Sequence, residues 1–336
     1  MPKIKVAFDV GNSALKIAVW RGGALELQEV PLPEHLVEDD AVTMPHAFSG
    51  FLKDIRKELR LPAGPAALVL PTSRCLCRLV TLPKMTVEQL EINLPYEFND
   101  FIQGDVSQYY CDYAVCRGAE RDGGEEDGEE GGEITMMAAA VERQLIREMG
   151  RMFSGAGFNL RSVLPQQMAL IRLAAAQEKP ECCFIDLGRQ STRVILVSGD
   201  RLQAERQVPV GCRAVAQAAA DALHIDVRLT ETYLRAGRED VTGHDLCRAV
   251  YDQIAVEVLK VVNFYRYTYR QNQLQGVYLI GGGANIAPLR RAVTERIELP
   301  ALSLADLLGA DGADEALLPS CACAAGAAMQ EEARDA

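Results

Sequence analysis

Two stretches far apart in this chain repeat one pattern, and that repetition limits what the chain can fold into. The first reads KVAFDVGNSALKIAVW, with Asp9, Gly11, Asn12, Ser13 and Lys16. The second reads CCFIDLGRQSTRVILVSGDRL, with Asp186, Gly188, Gln190 and Ser191. Each is an apolar strand, an Asp-x-Gly turn, a small polar residue and a second apolar strand. A third glycine turn follows in VYLIGGGANIAPL, with Gly281, Gly282, Gly283 and Ala284. The residue types suit phosphate chemistry. Glycine lets backbone N–H groups approach a phosphate closely and adopt φ > 0. Ser13 and Ser191 add hydroxyl donors, and Lys16 reaches a phosphate as a point charge. Asp9 and Asp186, at strand ends, suit Mg²⁺ held mostly through water, because that ion takes few carboxylates and keeps its hydration. One Asp-x-Gly turn often does no more than close a hairpin. Two of them with a third glycine turn argue for a duplicated α/β core with nucleotide in the cleft between its halves.

Bulk properties exclude several function classes. At 336 residues the chain is too long for one small domain and suits two or three lobes. Its net charge of −12 argues against a nucleic-acid partner, which would want a basic face. Much of that charge is local, since Asp122 to Glu133 contains only Asp, Glu and Gly. The ten cysteines fall in C-x-C pairs (Cys75/Cys77, Cys321/Cys323), one adjacent pair (Cys182/Cys183) and singly, without the C-x-x-C spacing of structural zinc. Most stand in apolar runs, where cysteine acts as a small hydrophobe, so they read as buried thiols of a protein in a reducing cytoplasm. Asp9 interrupts the first apolar strand, and no apolar run approaches the ~20 residues of a membrane-spanning helix. Membrane association is therefore expected only through partners.

The pattern along the chain places these motifs. Residues 3–32 read as the first hairpin with a third strand, Phe48–Leu59 as an amphipathic helix, and Ala66–Leu70 as a buried strand. Cys75–Leu82 starts a different unit. Thr86 and Gln89 form a capping-box pattern that opens a helix through about Phe98. Tyr109–Val115 and Ile134–Ala140 alternate as strands, and Glu142–Gly155 returns as a helix. The Asp/Glu/Gly run between those strands is expected to be a mobile hairpin loop, a tolerated insertion rather than a contact surface. Helices are then predicted over Leu170–Gln177, Arg213–Leu223, Leu229–Arg235 and His244–Gln273, and the last carries a core-facing stripe of Ile254, Val258, Val261, Val262, Tyr265 and Tyr269. A strand over Gly276–Ile280, a helix over Ala287–Ile297 and a small-residue helix over Cys321–Met329 complete the chain.

The three glycine turns resemble the two phosphate turns and the adenosine turn of actin-like ATPases. Two further stretches sharpen the resemblance. LPTSRCLCRLVTLPKMTVEQLEINLPYEFNDFI is similar to the small insert of the family of the type IV pilus assembly protein PilM. NFYRYTYRQNQLQGVYLIGGGANIAPL is similar to that family's late helix and adenosine turn. The likeness runs from about Ile4 to Met329. It implies an actin-like, ribonuclease H-like duplicated ATPase fold with a β-α-β-β-α insert. The implied lobes are 1–74, 75–162 for the insert, 163–180 as a connecting helix, 181–210 with 276–315, a helical part at 211–275, and 316–336 returning to the first lobe. ATP and Mg²⁺ are the implied ligands. Asp9, Gly11, Asn12, Ser13 and Lys16 match the first phosphate turn. Asp186, Gly188, Gln190 and Ser191 match the second, and Gly281 to Ala284 match the adenosine turn. Glu231 and Arg235, in TETYLR, match a Glu and Lys beside the nucleoside, with Arg in place of Lys. Gly211 matches a family glycine, while Cys212 replaces another. In SVLPQQMA, Gln166 and Gln167 stand where many relatives carry an acidic residue. Gln166 is thus a weak catalytic candidate that can orient a water but not act as a base, and slow hydrolysis or none is expected.

The resemblance implies a cytoplasmic scaffold, peripheral to the inner membrane, that docks the N-terminal tail of a PilN-like membrane protein. The expected groove lies between the first lobe and the insert, with the insert helix over Glu88–Phe98 as one wall. Assembly motor ATPases and a platform protein are further implied partners, and self-association is left open. The same core serves other classes. A cell-division protein like FtsA would want an amphipathic membrane helix, which the acidic MQEEARDA does not provide. A small-molecule kinase would want a carboxylate base, and an iron–sulfur activator a convergent set of thiolates.

Overall fold

The computed structural model describes residues 4–116, 132–176, 181–269, 274–308 and 314–329. The Asp/Glu/Gly run lies almost wholly outside these, as do the end of the long helix expected through Gln273 and the final seven residues. The first lobe begins with an antiparallel meander of β1 (Val6–Val10), β2 (Ala14–Arg21) and β3 (Ala24–Pro31). Gly22 and Gly23, at φ 58° and 90°, make the two-residue β2–β3 turn, where positive φ matches the twist of the strands. A short hairpin of β4 (Val37–Glu38) and β5 (Ala41–Val42) follows, turning through Asp39 and Asp40. Helix α1 (Pro45–Glu58) buries Phe48, Leu52 and Ile55, and its opening proline needs no N–H partner. Strand β6 (Gly64–Leu70) then runs parallel to β1.

The insert has a core of its own. Strand β7 (Leu76–Pro83), helix α2 (Val87–Asn93), strand β8 (Tyr109–Val115) and strand β9 (Glu133–Glu142) form an antiparallel sheet in the order β7-β9-β8, backed by the helix. Val80, Leu90, Leu94, Phe98, Ile102 and Met136 are buried together between them. The capping box is formed as expected, with Gln89 N–H donating to Thr86 Oγ1 and Thr86 N–H to Gln89 Oε1. The α-helix stops at Asn93 and continues as a 3₁₀ turn over Leu94–Phe98, because Pro95 has no N–H to bond back.

Helix α3 (Arg143–Gly155) and strand β10 (Phe158–Pro165) return to the first lobe. Phe153 of α3 meets Phe8 edge-on at 5.1 Å, and Phe158 meets Phe8 at 4.8 Å. β10 pairs parallel with β6, giving the sheet order β10-β6-β1-β2-β3. Of the segment 75–162, only the part up to Glu142 thus makes the separate sheet. The apolar face of α3 and the edge of β6 take the remainder into the main lobe.

After α4 (Gln166–Ala176) the plan repeats. β11 (Glu181–Leu187), β12 (Thr192–Ser198) and β13 (Arg201–Val208) form a second antiparallel meander. Helices α5 (Cys212–Leu223), α6 (Val227–Arg235), α7 (Glu239–Thr242) and α8 (Asp245–Thr268) come next. β14 (Tyr278–Ile280) then pairs parallel with β11, as β6 does with β1. A parallel bridge from Val277 to Ala301 stands where β10 stands in the first lobe. Helices α9 (Ala287–Ile297), α10 (Ala305–Leu308) and α11 (Leu318–Ala328) complete the chain.

Helices α4 and α11 lie together between the two sheets. They share one core with Ala7, Ala18 and Ala67 of the first sheet and with Phe184 and Ile195 of the second. Every residue of α11 except Pro319 is buried, and those after Pro319 are Ser, Cys, Ala and Gly. A side chain on Gly326 would run into the Ala169 carbonyl and approach Leu173 at 3.1 Å. Trp20 Nε1 donates to the Ala328 carbonyl at 2.9 Å, fastening the last turn of α11 to the first sheet.

Gly326→Ala is expected to destabilise the fold by about 1–3 kcal/mol through overpacking. Gly50→Ala, on the exposed side of α1 with nothing near its missing side chain, is expected to stabilise it by about 0.5–1 kcal/mol. Denaturant midpoints of the two variants check this. Equal shifts would contradict the close helix contact.

Candidate functional site

The two meanders place equivalent residues on opposite walls of one cleft. In the first turn, Gly11 N–H donates to the Ala14 carbonyl at 3.1 Å; in the second, Gly188 N–H donates to the Ser191 carbonyl at 3.1 Å. Each turn sets an aspartate opposite a cation in strand register, Asp9 against Lys16 and Asp186 against Arg193, each cation seven residues after its carboxylate. Lys16 Nζ lies 3.6 Å from Asp9 Oδ2. Arg193 Nη2 donates to Asp186 Oδ2 at 3.0 Å. The same oxygen accepts from Gln166 Nε2 at 2.9 Å.

Burial pushes the Asp9 carboxyl up, against the pull of the Lys16 ammonium, and the charge of Asp186 adds to the rise. Burial opposes the Lys16 charge, but the carboxylates of Asp9 and Asp186 outweigh it and hold the ammonium above its ordinary value. Arg193 behaves alike, with Asp186 and Glu205 outweighing burial. Each wall thus pairs its aspartate with a cation of its own.

The third turn closes the far side. Gly281 adopts φ 82°, and a side chain there would press on Asp186 Oδ1. A side chain on Gly283 would run into Cys212 and Leu187, whereas one on Gly282 would stand in open space of the cleft. On α6, Glu231 accepts from Arg189 Nη2 at 2.8 Å and Nε at 3.0 Å. The cleft measures about 440 Å³, within the ~300–1,000 Å³ of small-molecule sites.

Of the expected residues, Asp9, Gly11, Asn12, Ser13, Lys16, Gln166, Asp186, Gly188, Glu231, Arg235 and Gly281 to Gly283 line this cleft. Gln190, Ser191 and Ala284 do not. Gln190 Nε2 donates to Asp39 Oδ1, and Ala284 is buried in the core beneath α9. Gln167 turns away to Glu205. Sequence reasoning missed Arg193, although its seven-residue spacing from Asp186 repeats that of Lys16 from Asp9. It also missed Arg189 and Arg213 on the wall, and the Asp39–Asp40 turn, for which there was no motif.

That turn joins the cleft to a second concavity. Asn12 Nδ2 donates to Asp40 Oδ1 at 2.7 Å, and Asp40 N–H returns to Asn12 Oδ1 at 2.8 Å. Ser73 Oγ donates to Asp40 Oδ2 at 2.6 Å, and Arg74 donates to the carbonyls of Asp39 and Asp40. Arg193 Nη1 donates to Thr72 Oγ1. Thr72, Ser73 and Arg74 in turn line a groove of about 360 Å³ between the first lobe and the insert. Its other walls include Leu76, Phe101, Tyr109, Glu142, Leu145, Glu148, Met149 and Met152. Helix α2 does not line it, and Ile92 and Tyr96 on that helix and the turn after it are 67% and 64% exposed.

A family model described as type IV pilus assembly protein PilM matches residues 8–308. The chain belongs to the PilM family. No curated protein sequence matches it. Among solved structures, a PilM–PilN type IV pilus biogenesis complex is similar over 97% of this chain and 98% of that one, with TM-score 0.77 and 22% identity. The ethanolamine utilization protein EutJ from Carboxydothermus hydrogenoformans is similar over 98% and 90%, with TM-score 0.58 and 14% identity. The fold is accordingly the duplicated, actin-like ATPase fold with a small insert.

The glycine cradle of this PilM-family cleft fits a nucleotide: the three turns converge, and the one unobstructed glycine position opens into free space. Among the described residues, no group of three or more His, Cys, Asp or Glu side chains is placed to hold a metal ion by protein ligands alone. Asp9 and Asp186, expected to serve Mg²⁺, already face internal cations. The same absence of a cluster holds for the thiols. All ten cysteines are free, and no helix among the described residues is long and apolar enough to cross a membrane.

Burial pushes Cys75, Cys183, Cys212 and Cys321 up to about 12 from 9.0. Thiols released by unfolding ionise from about pH 9, while the folded ones stay protonated until about 12. Their contribution to stability is therefore full below pH 9 and lost as pH rises toward 12. Thermal unfolding is expected to give a steady midpoint from neutrality to pH 8.5, then a falling one. A midpoint flat to pH 11 would contradict the buried-thiol environment.

Proposed function

We propose that this protein is a nucleotide-binding scaffold of a type IV pilus or type II secretion-like machine, and that it docks the N-terminal cytoplasmic tail of a PilN-like inner-membrane protein. The reading places it in the cytoplasm, held at the inner membrane through that partner, with motor ATPases and a platform protein as further partners. The observation that carries it is the groove between the insert and the first lobe. Membership of the PilM family and likeness to a PilM–PilN complex support the same partner.

The groove lining describes what would bind. Leu76, Phe101, Leu145, Met149 and Met152 offer apolar surface, and methionines adapt to varied side chains. Glu142 and Glu148 add negative charge, with Arg74 at the opposite side. That chemistry suits an extended peptide with apolar anchors and a basic residue. The expected wall at Glu88–Phe98 is replaced by α3, whose Gln144–Met152 face turns toward the gap.

In the main cleft the ligand of choice is ATP, with phosphates between the first two turns and the nucleoside toward Glu231, Arg235 and Gly281–Gly283. Lys16 and the turn N–H groups would hold phosphate oxygens. Gln166 favours retention over hydrolysis. Its amide N–H is committed to Asp186, and a neutral amide cannot itself act as a base. Nucleotide then serves as a structural or switching ligand.

Fluorescence anisotropy with the N-terminal peptide of the cognate PilN-like protein tests the groove. Glu148→Lys is expected to weaken binding by about 1–2 kcal/mol, roughly tenfold. Unchanged affinity in Glu148→Lys and in Leu145→Asp would remove the groove assignment. Calorimetric titration with Mg-ATP tests the cleft, and Lys16→Met is expected to lose about tenfold or more in affinity. Equal affinity in that variant would refute the phosphate placement.

A further inference from the structure

Asp9 and Asp186, the carboxylates of the two Asp-x-Gly turns, each have a cation of their own. Lys16 faces Asp9 and Arg193 faces Asp186, in the same register on the two lobes. The second pair is the more committed. Asp186 Oδ2 accepts from both Arg193 and Gln166, and its Oδ1 lies against the Gly281 backbone. Little of the carboxylate is left to bind a hydrated metal ion, which needs open oxygen and room for its waters. Arg193 is held from the other side by Thr72 and is only 16% exposed. Nη1 and Nη2, each engaged once by Thr72 and Asp186, keep a second N–H apiece, so the guanidinium has donors left where it lines the phosphate end of the cleft.

We infer that Lys16 and Arg193 together supply the positive charge that Mg²⁺ supplies at carboxylate-lined phosphate sites, so that nucleotide binds here without a divalent cation. The inference rests on the nucleotide reading of the cleft. The chemistry is that of a guanidinium fork. Five N–H donors in a plane can hold a carboxylate and a phosphate oxygen together, and the charge persists at every working pH. Lys16 does the same as a point charge from the first lobe. Arg213 and Arg235 add positive charge along the wall, whereas Arg189 is spent on Glu231. The two walls thus present one phosphate-directed cation each.

The test is calorimetric titration of ATP into the full chain at fixed ionic strength, once in EDTA and once in MgCl₂. The wild type is expected to bind in both, with affinities within about threefold of each other. Arg193→Met is expected to lose about tenfold or more in EDTA, the worth of a charge-assisted hydrogen bond, and to recover part of that in MgCl₂. Because Arg193→Met strands a buried carboxylate, Asp186→Asn and the double variant are measured beside it. Asp186→Asn keeps Arg193 and is expected to bind in EDTA at least as tightly as the wild type. A wild type that binds only with Mg²⁺, or an Asp186→Asn variant that binds in neither buffer, overturns the inference. A wild type that binds in neither overturns the nucleotide reading and the inference with it.

Discussion

Everything at the cleft depends on how closely α4 and α11 pass. Two sheets can share one pair of helices only if the helices are thin, and α11 is built for that from Ser, Cys, Ala and Gly. Gly326 rests against the Ala169 carbonyl with no room for a methyl group. Close-packed interiors transmit such constraints because they leave few voids to absorb a shift. The contact therefore sets the distance between the ends of β1 and β11, and with it the distance between Asp9 and Asp186. Cys323 of α11 lies directly beneath. Its thiol is pushed well above its ordinary value by burial and by the charges of both aspartates.

That separation makes the charge arrangement intelligible. Two carboxylates brought near each other in a partly closed cleft repel, and burial adds to the cost of keeping them charged. The chain answers with cations in strand register, where an antiparallel pair holds facing side chains about 4.5–5.5 Å apart at Cβ. Because both meanders use the same turn, the answer comes twice, as Asp9–Lys16 and Asp186–Arg193. A metal ion would neutralise the same charges from outside. Here the compensation is covalent to the fold and present whether or not a ligand is bound.

Most of this architecture was legible in the sequence because it is local. The Asp-x-Gly turns, the capping box at Thr86 and Gln89, and the stripe of α8, of which Ile254, Val258, Val262 and Tyr265 are buried and Val261 and Tyr269 only half-buried, each follow from residues a few positions apart. Where the structure departed, the decisive partner was distant in sequence. Helix α3 looked like the end of the insert, yet Phe153 packs on Phe8 and Phe48. Asn12, Gln190 and Ser191 looked alike as polar turn residues, yet only Asn12 lines the cleft. Gln190 is drawn to Asp39 from across the molecule. Arg193 is the exception. Its seven-residue spacing from Asp186 repeats that of Lys16 from Asp9.

The Asp39–Asp40 turn is where these levels meet. Both residues adopt left-handed backbone, at φ 46° and 60°, a conformation that aspartate tolerates when its side chain is locally hydrogen-bonded. Here the bonds go outward instead. Asp40 ties to Asn12 of the first Asp-x-Gly turn and to Ser73, and Asp39 ties to Gln190 of the second. Arg74 holds both backbone carbonyls. A turn with that many non-local bonds cannot shift on its own. Both Asp-x-Gly turns are tied to it, and so is the Thr72–Arg74 segment, which also lines the groove between the first lobe and the insert. Cleft and groove are consequently two faces of one hydrogen-bonded partition, built from residues that no local sequence pattern connects.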